Sequence, residues 1–473
     1  MPPTFINREQ ELAWLNGCYE KARETAQLLI VYGKRRVGKT ELMKHFIEGK
    51  PHIYYLANRT TSEEQLRSAT SVFAQGLGDD YLKPGSFQHW RDFFDYIGKK
   101  IKERNEPMIV IFDEFPYLAE SHAGMSSFVQ YAWDTWLKDA RVIVILMGSS
   151  IAMMYKHALV HSAPLYGRRT GQWLLEPFDY RHTTQFYPGG TFARMFPLYA
   201  VSGGIPAYAR VFDGKKSFQQ NIIQQVLTEG SFLSVEPELL LADEFTDQRS
   251  YLTILKAIGA GRTKFSEIVQ EAGLPATALP GYLKTLTHLR LVQKEVPVTE
   301  TLPEKSKKGA YSLADPFLRF YFSFIFPQAS LVKSGNFETL FSRHGGRLTA
   351  LLAKAYEDAT KEFVGRAISQ GALPHFERLG RWWDKNTEID LVGLNEEKNA
   401  VLFVETKWNE KQLDASVLKD VREKARRLAW GREERKEYYC VVAKGGFTDH
   451  AVKEARERHT LLIQEDKVMT GTS

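Results

Sequence analysis

The sequence predicts an α/β protein in which a mainly helical region separates two α/β blocks. From Phe5 to about Tyr208, short apolar runs alternate with amphipathic helical stretches. The runs are continuously apolar, which is typical of parallel strands covered on both faces. The period of the apolar residues changes three times along the chain, and these changes mark the domains. A chain of 473 residues is also too long for one hydrophobic core. We therefore expect about three folded parts.

Composition excludes several classes of protein. The two cysteines, Cys18 and Cys440, lie far apart, so we expect neither a disulfide framework nor a Cys-rich zinc module. No apolar run approaches the roughly 20 residues that a membrane span needs, and the start MPPTFINREQ lacks the apolar stretch of a signal peptide. These features predict a soluble, cytoplasmic protein. A formal net charge of +6 permits a nucleic-acid partner without indicating one.

The apolar patterns divide the chain into segments. Runs at 28–32, 53–56, 108–112 and 141–147 predict strands of one parallel sheet within a core of residues 1–210. Residues 211–245 are expected to form a helical lid segment. Residues 246–315 read as three helices and a hairpin, the order of a winged-helix domain. We expect a linker over 316–347 and a second α/β domain over 348–473.

A glycine-rich loop between the first strand and the helix that follows is the clearest chemical motif. It satisfies the pattern G-x-x-x-x-G-K-[ST] with Gly33, Lys34, Arg35, Arg36, Val37, Gly38, Lys39 and Thr40. The two glycines let the backbone turn so that its N–H groups face phosphates. Lys39 is expected to neutralise the β and γ phosphates, and the Thr40 hydroxyl to bind Mg²⁺. The loop predicts a phosphate-binding site.

Polar residues follow two further strands of the same sheet. Asp113 and Glu114 come directly after the run 108–112. Asp113 is expected to hold Mg²⁺ through water, and Glu114 to polarise the water that attacks the γ-phosphate. An acidic pair at a strand end is also an ordinary helix cap, but the glycine-rich loop favours the catalytic interpretation. Ser149 follows the next run, where a polar side chain reaches towards the γ-phosphate or simply forms a turn.

Together these motifs resemble the archaeal-type ATPases of the AAA+/STAND lineage over residues 4–320. The matching segments are FINREQEL, YGKRRVGKT, IVIFDEF, LMGSS, PLYGRRTG and VSGGIPAY. The resemblance implies that ATP binds with Arg8 beside the adenine, that Ser149 is the sensor residue, and that Pro206 in the GG-x-P box contacts nucleotide from the lid. It also implies that Arg168 or Arg169 is a trans-acting finger or an in-cis sensor. The alternative for these arginines is a solvated or ion-paired surface. A homo-oligomer is a further expectation.

The predicted winged helix offers polar residues to a nucleic acid. The third helix and the wing supply Thr277, Lys284, His288, Lys305, Lys307 and Lys308. The lysines suit phosphate contacts, but the helix is poor in the side chains that read base edges best. We therefore do not expect sequence-specific recognition. A role as nucleotide lid or protein contact is equally supported.

A second group of charged residues lies on a predicted hairpin near the C-terminus. If the strands pair near Asp390, this residue and Glu405 can share Mg²⁺ while Lys407 orients or deprotonates water. This arrangement resembles the PD-(D/E)xK nuclease superfamily over residues 348–465, although the first motif, EID, lacks the proline. The resemblance implies Glu357 as an additional helical acid. A nuclease fold used only for binding and an unrelated surface hairpin are the alternatives.

These expectations combine into one hypothesis. The chain is an ATP-binding and ATP-hydrolysing switch, with Mg²⁺ as cofactor, that controls DNA binding or Mg²⁺-dependent cleavage by its C-terminal domain. The alternative is a regulatory ATPase that binds protein or DNA partners and cuts nothing.

Overall fold

A computed structural model describes residues 5–161, 163–245, 247–306, 308–432 and 434–470. The chain divides into two compact units. The first contains Met1–Pro188, Gly204–Phe212 and Glu238–Thr246, and the second contains Gly189–Gly203, Asp213–Pro237 and Asp247–Ser473. Among the described helices, none has both the length and the apolar composition needed to cross a membrane.

The helices and strands are as follows. Up to residue 211 they are α1 (Glu9–Lys21), β1 (Gln27–Tyr32), α2 (Lys39–Ile47), β2 (His52–Leu56), α3 (Ser62–Leu77), α4 (Trp90–Lys102), β3 (Met108–Asp113), α5 (Phe115–Ser121), α6 (Met125–Thr135), β4 (Val142–Gly148), α7 (Ile151–Met154), β5 (Gly171–Leu174), α8 (Tyr180–Thr183), α9 (Phe192–Ser202) and α10 (Pro206–Val211). The middle region contains α11 (Phe218–Ile222), α12 (Glu236–Glu244), α13 (Arg249–Gly259), α14 (Phe265–Ala272), α15 (Leu279–His288), β6 (Val292–Glu295), β7 (Ala310–Leu313), α16 (Pro316–Phe320) and α17 (Ala329–Lys333). The C-terminal part contains α18 (Phe337–Ser369), β8 (Arg378–Trp383), β9 (Glu388–Asn395), β10 (Ala400–Lys407), α19 (Ser416–Ala425), β11 (Lys436–Ala443), α20 (Asp449–Glu457), β12 (Thr460–Gln464) and β13 (Lys467–Thr470).

The first unit is built on a parallel sheet with the strand order β2-β3-β4-β1-β5. Strands β1, β3 and β4 are buried along their whole length, because they are central and covered on both faces. The predicted parallel α/β core is therefore confirmed. The short, half-buried edge strand β5 was not predicted, since it lacks a continuous apolar run. The carboxyl ends of β1, β3 and β4 lie side by side, which is where ligands bind in open parallel sheets.

Three helices and an antiparallel hairpin occupy residues 249–313, in the order that the sequence predicts. The apolar positions Ile254, Leu255, Ile268, Leu283 and Leu286 are buried, as expected for a three-helix core. The winged-helix assignment itself stays a prediction, and Lys307 lies outside the described residues.

The segment 316–347, expected to be a linker, is largely helical. Helix α18 begins at Phe337 and continues for 33 residues through Gly345 and Gly346. Each glycine in a helix destabilises the helix by about 1 kcal/mol relative to alanine. The packing of α18 and the helix-forming residues around the glycine pair offset this cost. The glycine pair therefore does not separate the linker from the domain that follows.

The second unit contains a mixed sheet with the strand order β13-β12-β11-β10-β9-β8. The β9–β10 pair is antiparallel, as the hairpin prediction requires, and β10, β11 and β12 are parallel. Val392, Phe403, Val441 and Leu462 of this sheet form one buried cluster with α19 and α20. The C-terminal α/β block is therefore confirmed.

Candidate functional site

The glycine-rich loop connects β1 to α2 at the carboxyl edge of the parallel sheet. Gly38 precedes α2 with φ of 99°, a conformation that favours glycine. A Cβ atom on Gly33 would lie 2.5 Å from the Leu175 carbonyl oxygen, so a larger residue does not fit there. Val37 is fully buried and anchors the loop. These contacts shape the loop that the motif predicts.

Lys39 lies inside this loop with 6% of its surface exposed. Its Nζ donates hydrogen bonds to the carbonyl oxygens of Gly33 at 2.9 Å and Lys34 at 3.1 Å. Burial lowers the pKa of Lys39 to about 8, although the nearby carboxylates of Glu114 and Asp113 act in the opposite direction. The loop therefore holds a lysine whose charged form a phosphate group would stabilise further.

Asp113 ends β3 and is 2% exposed. Its carboxylate accepts hydrogen bonds from Thr40 Oγ1 at 3.2 Å, from the Glu114 backbone N–H at 2.9 Å and from the Tyr54 hydroxyl. A hydroxyl and a carboxylate fit Mg²⁺, which takes few protein oxygens and completes its shell with phosphates and water. The structure thus brings Thr40 and Asp113 together as predicted. Tyr54 was missed, and its only signal was its position on a strand beside β3.

Glu114 and Ser149 form the next contact at the same edge. Glu114 Oε2 accepts hydrogen bonds from the Ser149 N–H at 3.1 Å and the Ser149 Oγ at 3.0 Å. The Glu114 backbone has φ of 50°, a strained conformation of the kind found at functional sites. The residues proposed as base and sensor are therefore directly hydrogen-bonded.

A cavity of about 390 Å³ lies over the loop. Its polar lining includes Lys39, Thr40, Glu114 and Ser149, together with Arg35, Arg36 and Gly38 of the loop. Its apolar lining includes Phe5, Ile6, Phe178, Phe186 and Pro206. A cavity lined by both cationic and aromatic side chains suits a molecule that joins phosphates to a planar base.

Arg8 lies in the wall of this cavity. Its guanidinium donates to the carbonyl oxygens of Glu176 at 2.8 Å and Val37 at 3.1 Å, pairs with Glu11 at 2.9 Å, and lies 4.3 Å from the centre of the Phe178 ring. Burial lowers the pKa of Arg8, while Glu11 opposes this shift. Arg8 therefore connects the loop to Phe178 in the cavity wall, and contact with adenine stays a prediction.

The GG-x-P box contributes Pro206 to the lining of the same cavity. Gly204 has φ of 73°, and the Phe178 N–H donates to its carbonyl oxygen at 2.8 Å. Pro206 Cγ lies 3.9 Å from where a Cβ on Gly38 would be. Arg210, four residues after Pro206 on α10, also lines the cavity and was missed. Pro206 and Arg210 are four residues apart, a spacing that places both on one face of a helix. This spacing was the signal in the sequence for Arg210.

Replacing Gly204 by alanine is expected to lower the free energy of unfolding by about 2–4 kcal/mol. The new Cβ would lie 1.8 Å from the Phe178 carbonyl oxygen, and the backbone conformation disfavours a side chain. Gly167→Ala is the matched control, because no atom lies within 4 Å of its Cβ position. Urea denaturation measures both variants, and equal midpoints would contradict the prediction.

Arg168 and Arg169 do not line the cavity. Arg168 binds Asp134 through its Nε and a terminal nitrogen, at 2.9 and 2.7 Å. Arg169 donates to the carbonyl oxygen of Leu159 at 3.3 Å and lies over the Tyr166 ring. These contacts within the chain do not support the in-cis sensor role, because both guanidinium groups are held elsewhere. A trans-acting role stays a prediction.

The second predicted site lies on the β9–β10 pair. The register pairs Val404 with Leu391 in antiparallel strands. The adjacent residues, Glu405 and Asp390, therefore lie at the same end of the strand pair. Burial raises the pKa of Asp390 to about 7, and the carboxylates of Glu405 and Glu357 add to this shift. Asp390 accepts a hydrogen bond from the Thr406 N–H at 2.8 Å. The strand pairing therefore brings the two predicted carboxylates together.

Glu405 is 2% exposed and is held by two lysines. Its Oε1 lies 2.6 Å from the Nζ of Lys407 and 2.6 Å from the Nζ of Lys424. Lys424 belongs to the basic helix α19 and was missed, since only the fold brings that helix to the hairpin. Glu357 pairs with Lys354 at 3.2 Å and lines a cavity of about 330 Å³ with Asp390. No set of three His, Cys, Asp or Glu side chains arranged to hold a metal occurs in the part of the chain that the structure describes.

The residues proposed for nucleic-acid contact that the structure describes are exposed, with one correction. Helix α15 begins at Leu279, so Thr277 precedes the helix instead of lying on its face. Pro280 near the helix start explains this boundary, because proline favours the first helical turn. Lys284, His288 and Lys305 are exposed, and Lys308 pairs with Glu300 at 2.8 Å.

The parallel sheet, the glycine-rich loop and the acidic strand end define a P-loop ATPase domain. Residues 5–208 match a family described as an ATPase domain predominantly from Archaea, and residues 321–421 match one described as "Archaea bacterial proteins of unknown function". The uncharacterized protein MJECL04 of Methanocaldococcus jannaschii is 32% identical over 443 residues, which cover 93% of this chain and 95% of that protein. The chain belongs to the same family as this archaeal protein.

Two further proteins are similar over smaller parts or at lower identity. The uncharacterized ATP-binding protein MJ0423 of the same organism is 48% identical over 46 residues, which cover 10% of this chain and 75% of that protein. The solved structure of the Walker-type ATPase PABY2304 of Pyrococcus abyssi is 21% identical, with a TM-score of 0.49, and the match covers 67% of this chain and 96% of that chain.

Proposed function

We propose that this ATPase is a switch in which ATP hydrolysis controls DNA binding or Mg²⁺-dependent DNA cleavage by the C-terminal domain. The observation that carries the ATP-dependent part is the joint position of Lys39, the Thr40–Asp113 pair and the Glu114–Ser149 pair at one cavity. Lys39 binds phosphate oxygens, Thr40 and Asp113 hold Mg²⁺, and Glu114 orients the attacking water. Bound Mg²⁺ supplies charge neutralisation at the phosphates.

The charges around Asp390 support the nuclease part of the proposal. Asp390 lies among the carboxylates of Glu405 and Glu357, and their mutual repulsion contributes to its raised pKa. A divalent cation relieves such repulsion, and carboxylate oxygens are the ligands that Mg²⁺ prefers. Lys407 contacts Glu405 and is half-buried, so its ammonium is held beside one of the carboxylates that would bind the ion.

A specific observation favours the second candidate, a regulatory ATPase that cuts nothing. Two lysines already neutralise Glu405, and the described residues contain no three-ligand metal group. In that case the basic helix α19 and its neighbours bind a phosphate backbone or a protein without any cleavage.

A cleavage assay separates the two candidates. Linear, circular, branched and single-stranded DNA are incubated with the full chain and Mg²⁺ or Mn²⁺, with and without ATP. Cleavage that requires the divalent ion supports the first candidate. Binding that weakens with salt and depends on nucleotide, without any cleavage, supports the second.

We expect Asp390→Ala and Glu405→Ala each to abolish Mn²⁺ binding, and Lys407→Ala to keep metal binding but lose cleavage. The carboxylates coordinate the ion, whereas the lysine acts on water. Wild-type Mn²⁺ affinity is expected to rise between about pH 6 and 8, because the ion competes with the proton on Asp390, whose pKa is about 7.

Calorimetry and nicking of supercoiled plasmid test these expectations. Lys398→Ala is a control for loss of positive charge, since Lys398 is exposed in the turn between β9 and β10, at the opposite end of the strand pair from Asp390 and Glu405. A wild-type chain with neither metal binding nor nicking under any nucleotide condition would rule out the nuclease function.

A further inference from the structure

Two adjacent acids at the end of α12, Asp243 and Glu244, contact the loops around the nucleotide cavity. Both belong to the first unit, through the segment Glu238–Thr246. The sequence places them in a lid segment and assigns neither of them a role. Their hydrogen bonds and ion pairs connect them to the two loops that carry Lys39 and Ser149.

Glu244 binds the turn that directly follows Ser149. Its Oε2 accepts hydrogen bonds from Ser150 Oγ at 3.1 Å and from the Ala152 N–H at 3.4 Å, and its Oε1 accepts from the Ile151 N–H at 3.3 Å. Ser150 Oγ in turn accepts a hydrogen bond from the Met153 N–H at 3.3 Å. Three donors from consecutive residues therefore converge on one carboxylate and define the conformation of the turn.

Ser149 needs that conformation because both its N–H and its Oγ donate to Glu114. Two donors from one residue reach one carboxylate oxygen only in a restricted backbone geometry. Burial raises the pKa of Glu244, and its three hydrogen bonds oppose this shift. Glu244 also lies close enough to Lys39 to raise the pKa of the lysine.

Asp243 contacts the other side of the same site. Its carboxylate lies 2.5 Å from Arg35 of the glycine-rich loop and 3.6 Å from Arg59. The Arg59 guanidinium also lies 4.6 Å from the centre of the Tyr117 ring, on the helix that follows Glu114. Asp243 thus links the glycine-rich loop to residues around the proposed base.

We propose that Glu244 is a positioning residue for ATP hydrolysis, which holds the Ser149–Ser150 turn so that Ser149 orients Glu114, while Asp243 holds the glycine-rich loop through Arg35. This inference rests on the proposed function of Glu114. Glu244 does not touch the reacting atoms. Its effect is therefore on turnover, and its negative charge near Lys39 opposes the binding of phosphates.

The test compares steady-state ATP hydrolysis and ATP binding in matched variants of the full chain. Glu244→Ala is expected to lower kcat by roughly 10- to 100-fold, because it displaces a catalytic group without removing it. The KM for ATP is expected to stay the same or fall, since a negative charge near the phosphates is lost. Glu244→Gln keeps one acceptor oxygen and should restore part of kcat. Glu238→Ala, an exposed residue on the same helix, should match the wild type.

Ser150→Ala provides a second route, because it removes one donor without changing α12. It should lower kcat less than Glu244→Ala does, and circular dichroism establishes that each variant is folded. The positioning role is wrong if folded Glu244→Ala retains the wild-type kcat. If Glu244→Ala does not fold, the role is wrong when both Glu244→Gln and Ser150→Ala retain the wild-type kcat. A raised KM with unchanged kcat overturns it as well. A wild-type chain that hydrolyses no ATP instead overturns the proposed function.

Discussion

Lys39→Ala is expected to weaken ATP binding by about 100-fold or more, since removing one partner of a buried charge pair costs about 3–5 kcal/mol. Lys39 lies inside the loop, with its ammonium on the carbonyl oxygens of Gly33 and Lys34. Arg35 and Arg36 of the same loop also line the cavity. Arg35 is already paired with Asp243, so it compensates for the loss only in part.

Titration with a fluorescent ATP analogue measures this effect, with Lys44→Ala as control. Lys44 lies on the same helix but is exposed and pairs with Glu41. Unchanged affinity in Lys39→Ala would contradict the assignment of the loop as the phosphate site.

The lowered pKa of Lys39 predicts that ATP binding depends on pH. The pKa of Lys39 is lowered to about 8, so the free protein loses this positive charge as the pH rises through that value. Phosphates bind the charged form, and ATP affinity is therefore expected to fall between about pH 7 and 9. That decrease should be absent from Lys39→Ala. An equal decrease in the wild type and in Lys39→Ala would show that another titratable group causes the pH dependence.

Glu114→Gln is expected to slow ATP hydrolysis by about 100-fold or more while ATP binding is retained. The amide keeps the size of the side chain and one oxygen that accepts from Ser149, so the local geometry is preserved. What is lost is the carboxylate that we propose to orient and polarise water. The variant therefore separates binding from chemistry.

Phosphate release at saturating ATP measures the rate, and nucleotide titration measures binding. Glu120→Gln is the control, because Glu120 is exposed on the helix that follows. Comparable turnover in Glu114→Gln and the wild type would move the catalytic role to another residue.

Arg168 shows why a matching motif does not establish a contact. The segment PLYGRRTG matches the resemblance, yet the Arg168 guanidinium is bound to Asp134. The sequence predicts which residue types are present. It does not predict which of several neighbouring acids an arginine meets, because that depends on how the helices pack.

Local chemistry was sufficient to predict the parallel α/β core, the glycine-rich loop, the position of Asp113 and Glu114 at a strand end, and the hairpin that carries Asp390 and Glu405. Each of these features depends on residues close together in the chain, or on the alternation and register that a strand imposes. Their positions follow from backbone geometry that short patterns encode. The linker predicted over residues 316–347 is the exception. The continuous helix α18 forms there because packing outweighs the low helix propensity of two glycines.

Contacts between distant segments were decided only by the tertiary structure. Tyr54 reaches Asp113 from another strand, Lys424 reaches Glu405 from a following helix, and Glu244 reaches Ser150 across 94 positions of sequence. No local period or motif in the sequence predicts these contacts. They form because burial of the surrounding apolar surface brings the elements together, after which buried charges require partners.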